Sequence, residues 1–114
     1  MKEVLVNYTT KPEQTEENAR LISAVFEELK SRAPTGISYL AMRDEGGGFS
    51  HFIHVEDGAP SLTQFASFRA FQASIGERCL EPPRQKPVTV VGSYNMLPDE
   101  VKTSGTGNDV ANAK

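Results

Sequence analysis

The chain has 114 residues, 38% hydrophobic and 24% charged, with a formal net charge of −3, a length that supports one core and is short for two domains. The acidic balance and the scatter of the twelve Lys and Arg residues argue against a general nucleic-acid binder, which would present a basic face to phosphates. No apolar run approaches the roughly 20 residues that span a bilayer.

Met1-Lys2-Glu3 leads directly into Val4, Leu5, Val6 and Tyr8. Apolar residues on both faces of Glu3–Thr9 predict a central strand, and no apolar leader precedes it. Thr10 with Glu13 reads as a capping box, and Pro12 is tolerated in a first helical turn. From there to Ala33, Ile22, Val25, Phe26 and Leu29 recur at spacings of three and four and form one apolar stripe. Glu16, Glu17, Arg20, Glu27, Glu28 and Lys30 lie mainly away from it, as on a solvated face. Pro34 and Gly36 end the helix.

Ile37–Arg43 and Phe49–Val55 are rich in β-branched and aromatic residues and flank Asp44-Glu45-Gly46-Gly47-Gly48, the pattern of a β-hairpin. The glycine run joins two strands, so it reads as a turn and not as a phosphate-binding loop before a helix. Ser61 with Gln64 marks a second capping box, followed by Leu62, Phe65, Phe68, Phe71 and Ile75 at helical spacing and a stop near Gly76. Three prolines make Glu81–Pro87 an extended connection, and Val88–Met96 then reads as the last strand. The domain spans residues 1–97, and the Ser-, Gly- and Asn-rich remainder, 98–114, is expected to be a disordered tail.

The order β-α-β-β-α-β predicts an α+β, ferredoxin-like domain, a four-stranded antiparallel sheet with both helices on one face. Both sides of the hairpin strands carry apolar residues, so the uncovered face calls for a second copy. The expected assembly is a homodimer with two sheets face to face, a dimeric α/β barrel.

On this element order, on Gly36 opening the hairpin and on the segment His51–Phe68, the chain resembles the dimeric α/β-barrel superfamily and its antibiotic-biosynthesis-monooxygenase branch over residues 2–97. Where monooxygenase-type members often carry Glu-any-Trp, this chain has His54-Val55-Glu56, and it contains no tryptophan. The haem-degrading branch resembles it in an Asn on the first strand, here Asn7, but Ser61–Leu80 lacks that branch's helical His. The resemblance implies a cavity between sheet and helices for an apolar or aromatic molecule, and chemistry without a cofactor.

His51 and His54 are the candidate catalytic residues, since imidazole exchanges protons near neutral pH. Three apart on a strand, they point to opposite faces, which with so few neighbouring donors predicts no metal site. Asn7, Tyr39, Arg69 and Tyr94 are the candidate ligand-binding residues, polar groups for an otherwise apolar cavity, of which Asn7, Tyr39 or Arg69 would stabilise a developing oxyanion. Cys79, the single cysteine, has no histidine after it and reads as a structural thiol. The expectation is a cytoplasmic homodimer without cofactor, membrane or nucleic-acid partner. It binds or converts a small apolar or aromatic molecule by cofactor-independent oxygenase or isomerase chemistry; the alternative is a binding or structural dimer without enzymatic activity.

Overall fold

The computed structural model describes residues 2–97; the tail expected over 98–114 lies outside the described residues. Strand β1 (Lys2–Thr9) leads to helix α1 (Thr15–Arg32), hairpin β2 (Ile37–Arg43) and β3 (Gly48–Val55), helices α2 (Ala66–Ala73) and α3 (Ile75–Arg78), and edge strand β4 (Arg84–Pro87). The strands form one antiparallel sheet in the order β2-β3-β1-β4. This is the ferredoxin-like α+β architecture, with β1 and β3 central. Among the described residues no helix is long and apolar enough to cross a membrane.

The register sorts the two faces. Val4, Val6 and Tyr8 stand opposite Ile53, His51 and Phe49, which in turn oppose Tyr39, Ala41 and Arg43. This face meets the helices and, with Ile22, Val25, Leu62, Phe65, Phe68, Phe71 and Cys79, supplies the core. The other face carries a row Leu40–Phe52–Leu5–Lys86 between Ser38–His54–Glu3 and Met42–Ser50–Asn7–Arg84. Leu40, Phe52 and Leu5 make its centre apolar, and its flanks are polar apart from Met42.

The hairpin forms where its glycines predict it. Asp44 Oδ1 accepts from the amides of Gly46 and Gly48 at 2.7 and 3.0 Å, an Asx-type closure, and Gly47 adopts φ +85°. The helix starts differ from expectation. Thr10 does not cap α1: its amide and hydroxyl both donate to the Gly47 carbonyl, at 2.9 and 3.2 Å, and its hydroxyl meets that of Thr15 at 2.8 Å. A 3-10 turn, Pro12–Gln14, comes first, because tying the hairpin to α1 satisfies buried groups that a local cap would leave open.

The second helix is not continuous. Ser61 Oγ accepts from the Thr63 amide and opens a 3-10 turn, Leu62–Gln64, without the reciprocal bond from Gln64. The start of α2 is capped from α1: Glu28 Oε1 accepts from the amide and hydroxyl of Ser67 at 2.9 and 2.6 Å, a carboxylate at a helix N-terminus. A break at Ser74 (φ −124°, ψ 21°) separates α2 from α3.

The last strand also moves. The expected strand Val88–Met96 is not formed; the segment assigned to a connection supplies β4 instead, pairing Arg84–Pro87 with Asn7–Val4. The Thr10–Cys79 bridge and the Leu80 amide on the Thr9 carbonyl bring the chain alongside β1, so residues just beyond it reach the free edge first. Pro87 is tolerated because β4 is an edge strand. Beyond it, among the described residues, Val88 and Val90 remain tied to β1 through their amides on the Glu3 carbonyl and carboxylate. Val91, Tyr94 and Met96 are exposed.

Candidate functional site

A cavity of about 770 Å³ lies between the helix-facing side of the sheet and the α2–α3 segment. Val4, Val6, Ile53, Leu62, Phe68, Phe71 and Ile75 give it apolar walls, Tyr8, Tyr39 and His51 form a polar end, and Lys2, Glu56, Asp57 and Gln72 also line it. The sequence builds this end by simple alternation, since Tyr8, His51 and Tyr39 each occupy the inward phase of their strands.

His51 is 2% exposed. Its Nε2 lies 2.7 Å from Tyr8 Oη and its Nδ1 2.8 Å from Tyr39 Oη, so both ring nitrogens are held. The ring stacks on Tyr8 with centroids 5.4 Å apart and meets Phe71 at 5.5 Å. Burial pushes its pKa down to about 4, so the imidazole is neutral at physiological pH. Burial likewise raises the Tyr8 phenol to about 12 and lifts Tyr39 further above its ordinary value. Both phenols stay protonated.

The polar end continues inward. Asn18, fully buried on α1, donates through Nδ2 to Tyr8 Oη at 2.9 Å. Arg78, 3% exposed on α3, donates from Nε to Asn18 Oδ1 at 2.8 Å, from Nη1 to Ser74 Oγ at 2.7 Å and from Nη2 to the Phe71 carbonyl at 2.7 Å. Its guanidinium lies 5.1 Å from the Phe71 ring centroid. A hydrogen-bonded line thus runs from Arg78 through Asn18, Tyr8 and His51 to Tyr39.

Of the residues singled out from the sequence, the structure brings His51 and Tyr39 together. His54 stands on the opposite sheet face, its Nδ1 2.9 Å from Glu3 Oε2. Asn7 lies on that face too, where its Oδ1 accepts from Ser50 Oγ at 2.7 Å. Arg69 is exposed and donates to the Thr63 carbonyl at 2.8 Å. Tyr94 is 88% exposed, beyond β4. Cys79 is buried and free, and burial raises its thiol pKa. Among the described residues, no cluster of three or more His, Cys, Asp and Glu side chains has the makings of a metal site.

Tyr8, Asn18 and Arg78 escaped the sequence reading, although each left a signal. Asn18 falls on the apolar stripe of α1, four residues before Ile22, and Arg78 continues the Phe68–Phe71–Ile75 series. A polar side chain on a buried stripe requires a partner, which the stripe alone does not name.

No protein-family model matches the chain. No curated protein sequence matches it significantly. Solved structures do. Rv0793 from Mycobacterium tuberculosis is 17% identical, with TM-score 0.63 over 80% of this chain and 95% of that one. A protein of unknown function from Nitrosomonas europaea, NE2512, is 18% identical, with TM-score 0.61 over 81% and 90%. An antibiotic biosynthesis monooxygenase is 17% identical, with TM-score 0.60 over 81% of this chain and all of that one (100%). Identities this low speak for the backbone and not for the site. The chain therefore has the ferredoxin-like α+β fold found in antibiotic biosynthesis monooxygenase-type proteins.

Proposed function

We propose that this protein holds a small, largely apolar molecule bearing an oxygen function in the cavity between sheet and helices, and that the site is of the cofactor-independent oxygenase or isomerase type. The observation that carries the reading is a buried imidazole, held at both nitrogens by tyrosine hydroxyls, at the wall of a cavity of about 770 Å³. Apolar walls with a few convergent polar groups are the usual form of a small-molecule site. In such chemistry the substrate passes through an enolate- or phenolate-like anion. Tyr39 would donate a hydrogen bond to the developing oxyanion, with His51 behind it holding the phenol in place, and the proton lost by the substrate would pass to solvent water. The name of the monooxygenase with the same fold is consistent with this reading by analogy of fold alone.

A second reading is binding without turnover. It draws on the same histidine, since a pKa near 4 with both nitrogens occupied makes a weak base at neutral pH. Either reading is proposed for a homodimer closed over the apolar row Leu40–Phe52–Leu5.

Acetophenone titrated into the purified protein, followed by calorimetry, tests the site. Saturable binding is expected, abolished by Ile75→Trp, which fills the cavity, with the fold checked by circular dichroism. Binding that survives this substitution unchanged would place the ligand elsewhere. Turnover of an identified substrate that is unaffected by His51→Gln would remove the catalytic form of the proposal and leave the binding form.

A further inference from the structure

We infer that Asn18, oriented by Arg78, sets the direction of every hydrogen bond in the buried line, so that the cavity ends in an O–H donor at Tyr39 and selects molecules with an acceptor oxygen there. The inference rests on the cavity being the ligand site proposed above.

An arginine side chain can only donate. Arg78 Nε is bonded to Asn18 Oδ1, and its other two nitrogens are fixed by Ser74 Oγ and the Phe71 carbonyl. The Asn18 carboxamide is thereby turned with its oxygen toward Arg78, and its NH2 donates to Tyr8 Oη. The Tyr8 hydroxyl, already an acceptor, has its own hydrogen to place. His51 Nε2, 2.7 Å away, is its one remaining partner among the described residues. A hydroxyl so buried is not left unpaired, so Tyr8 donates to Nε2.

A neutral imidazole with a lone pair on Nε2 carries its proton on Nδ1. Nδ1–H therefore donates to Tyr39 Oη at 2.8 Å. Tyr39 has no further hydrogen-bond partner among the described residues, and it lines the cavity. Its hydroxyl hydrogen is the one the line leaves unspent. Donors in series, begun by a guanidinium, polarise one another in the same direction.

Asn18→Asp reverses the line without emptying it. A carboxylate at this position still accepts from Arg78 but cannot donate to Tyr8. Tyr8 then donates to the carboxylate and accepts from His51 Nε2–H. Nδ1 accepts from Tyr39, and the cavity end turns from donor to acceptor. Asn18 is a positioning residue in this scheme, acting on the ligand only through Tyr8, His51 and Tyr39.

The experiment is nitrogen NMR of the isotope-labelled imidazoles in the full chain at neutral pH, with His54→Gln assigning the two histidines. The expected spectrum of the unsubstituted protein has His51 protonated at Nδ1 and bare at Nε2, and Asn18→Asp inverts this. Protonation at Nε2 in the unsubstituted protein overturns the inference. This measurement stands without the variant, should Asn18→Asp fail to fold. The second arm compares acetophenone with α-methylstyrene, in which CH2 replaces the carbonyl oxygen. The ketone is expected to bind roughly threefold to tenfold more tightly, and Asn18→Asp to abolish that preference. Equal binding of the two overturns the donor at Tyr39. Binding of neither, with the tautomer as expected, overturns the ligand site and with it the selection of an acceptor oxygen, while the hydrogen-bond direction stands.

Discussion

Arg78 is the charged member of a buried line whose other members are neutral, and its three side-chain bonds explain how a guanidinium is tolerated at 3% exposure. His51 meets burial in the opposite way, by giving up its proton. Its pKa of about 4 in the fold lies below the ordinary value of about 6.5. Between these values the unfolded chain binds a proton that the fold refuses. The stability contributed by neutral His51 is therefore complete above pH ~6.5 and is lost as pH falls toward ~4, by up to about 3 kcal/mol. Urea unfolding across this range is expected to show the loss in the unsubstituted protein and a shallower dependence in His51→Gln. Equal slopes would assign the acid sensitivity to other groups. That His51 and Tyr39 share one phase of the hairpin was legible from strand alternation; that this phase faces the helices was not. Their joining to Asn18 and Arg78 was not, because those partners lie 33 and 27 positions away from His51 in the chain (51 − 18 and 78 − 51) and meet it only through packing.

At the scale of elements, α1 ends on Ala33 in the left-handed region at φ 47°, with its amide on the Leu29 carbonyl. A residue with a Cβ is disfavoured there, and glycine is the common choice. Ala33 is exposed and the conformation is already adopted, so Ala33→Gly is expected to raise stability by about 0.5–1 kcal/mol. Thermal unfolding reads this directly, and a lower midpoint would show that unfolded-state entropy outweighs the relief of strain. Gly36 shows the reverse case. At φ +90° its Cβ position lies 2.9 Å from Ala59 Cβ, so the residue that opens the hairpin leaves no room for a side chain. The hairpin was legible because its determinants are local. The helix starts were misplaced because Thr10 and Ser67 find their partners in Gly47 and Glu28, across the fold.

For the whole molecule, the sheet has one face under the helices and one whose central row is Leu40–Phe52–Leu5. Past β4, Val91, Tyr94 and Met96 are also exposed. Apolar groups placed together on a surface mark an interface, and the proposed homodimer would cover this row. Phe52→Lys is expected to yield monomers in native mass spectrometry. Its Cα partners Leu5 and Leu40 share the outer face, so the cavity on the other side should keep its affinity for acetophenone. A dimer unchanged by the substitution would move the interface off this face.

The element order, the hairpin and its turn, the apolar stripes of the helices and the strand phase shared by His51 and Tyr39 follow from the sequence alone. Each depends on neighbours within a few residues, where backbone geometry and periodicity act. Packing settled which segment closes the sheet, since Arg84–Pro87 and Val88–Met96 compete for one edge and the Thr10–Cys79 bridge favours the nearer. It likewise decided that Asn7 and His54 stand on the far face while Asn18 and Arg78 join the site. A buried polar group must find a partner, and which partner it finds is settled by packing between elements distant in sequence.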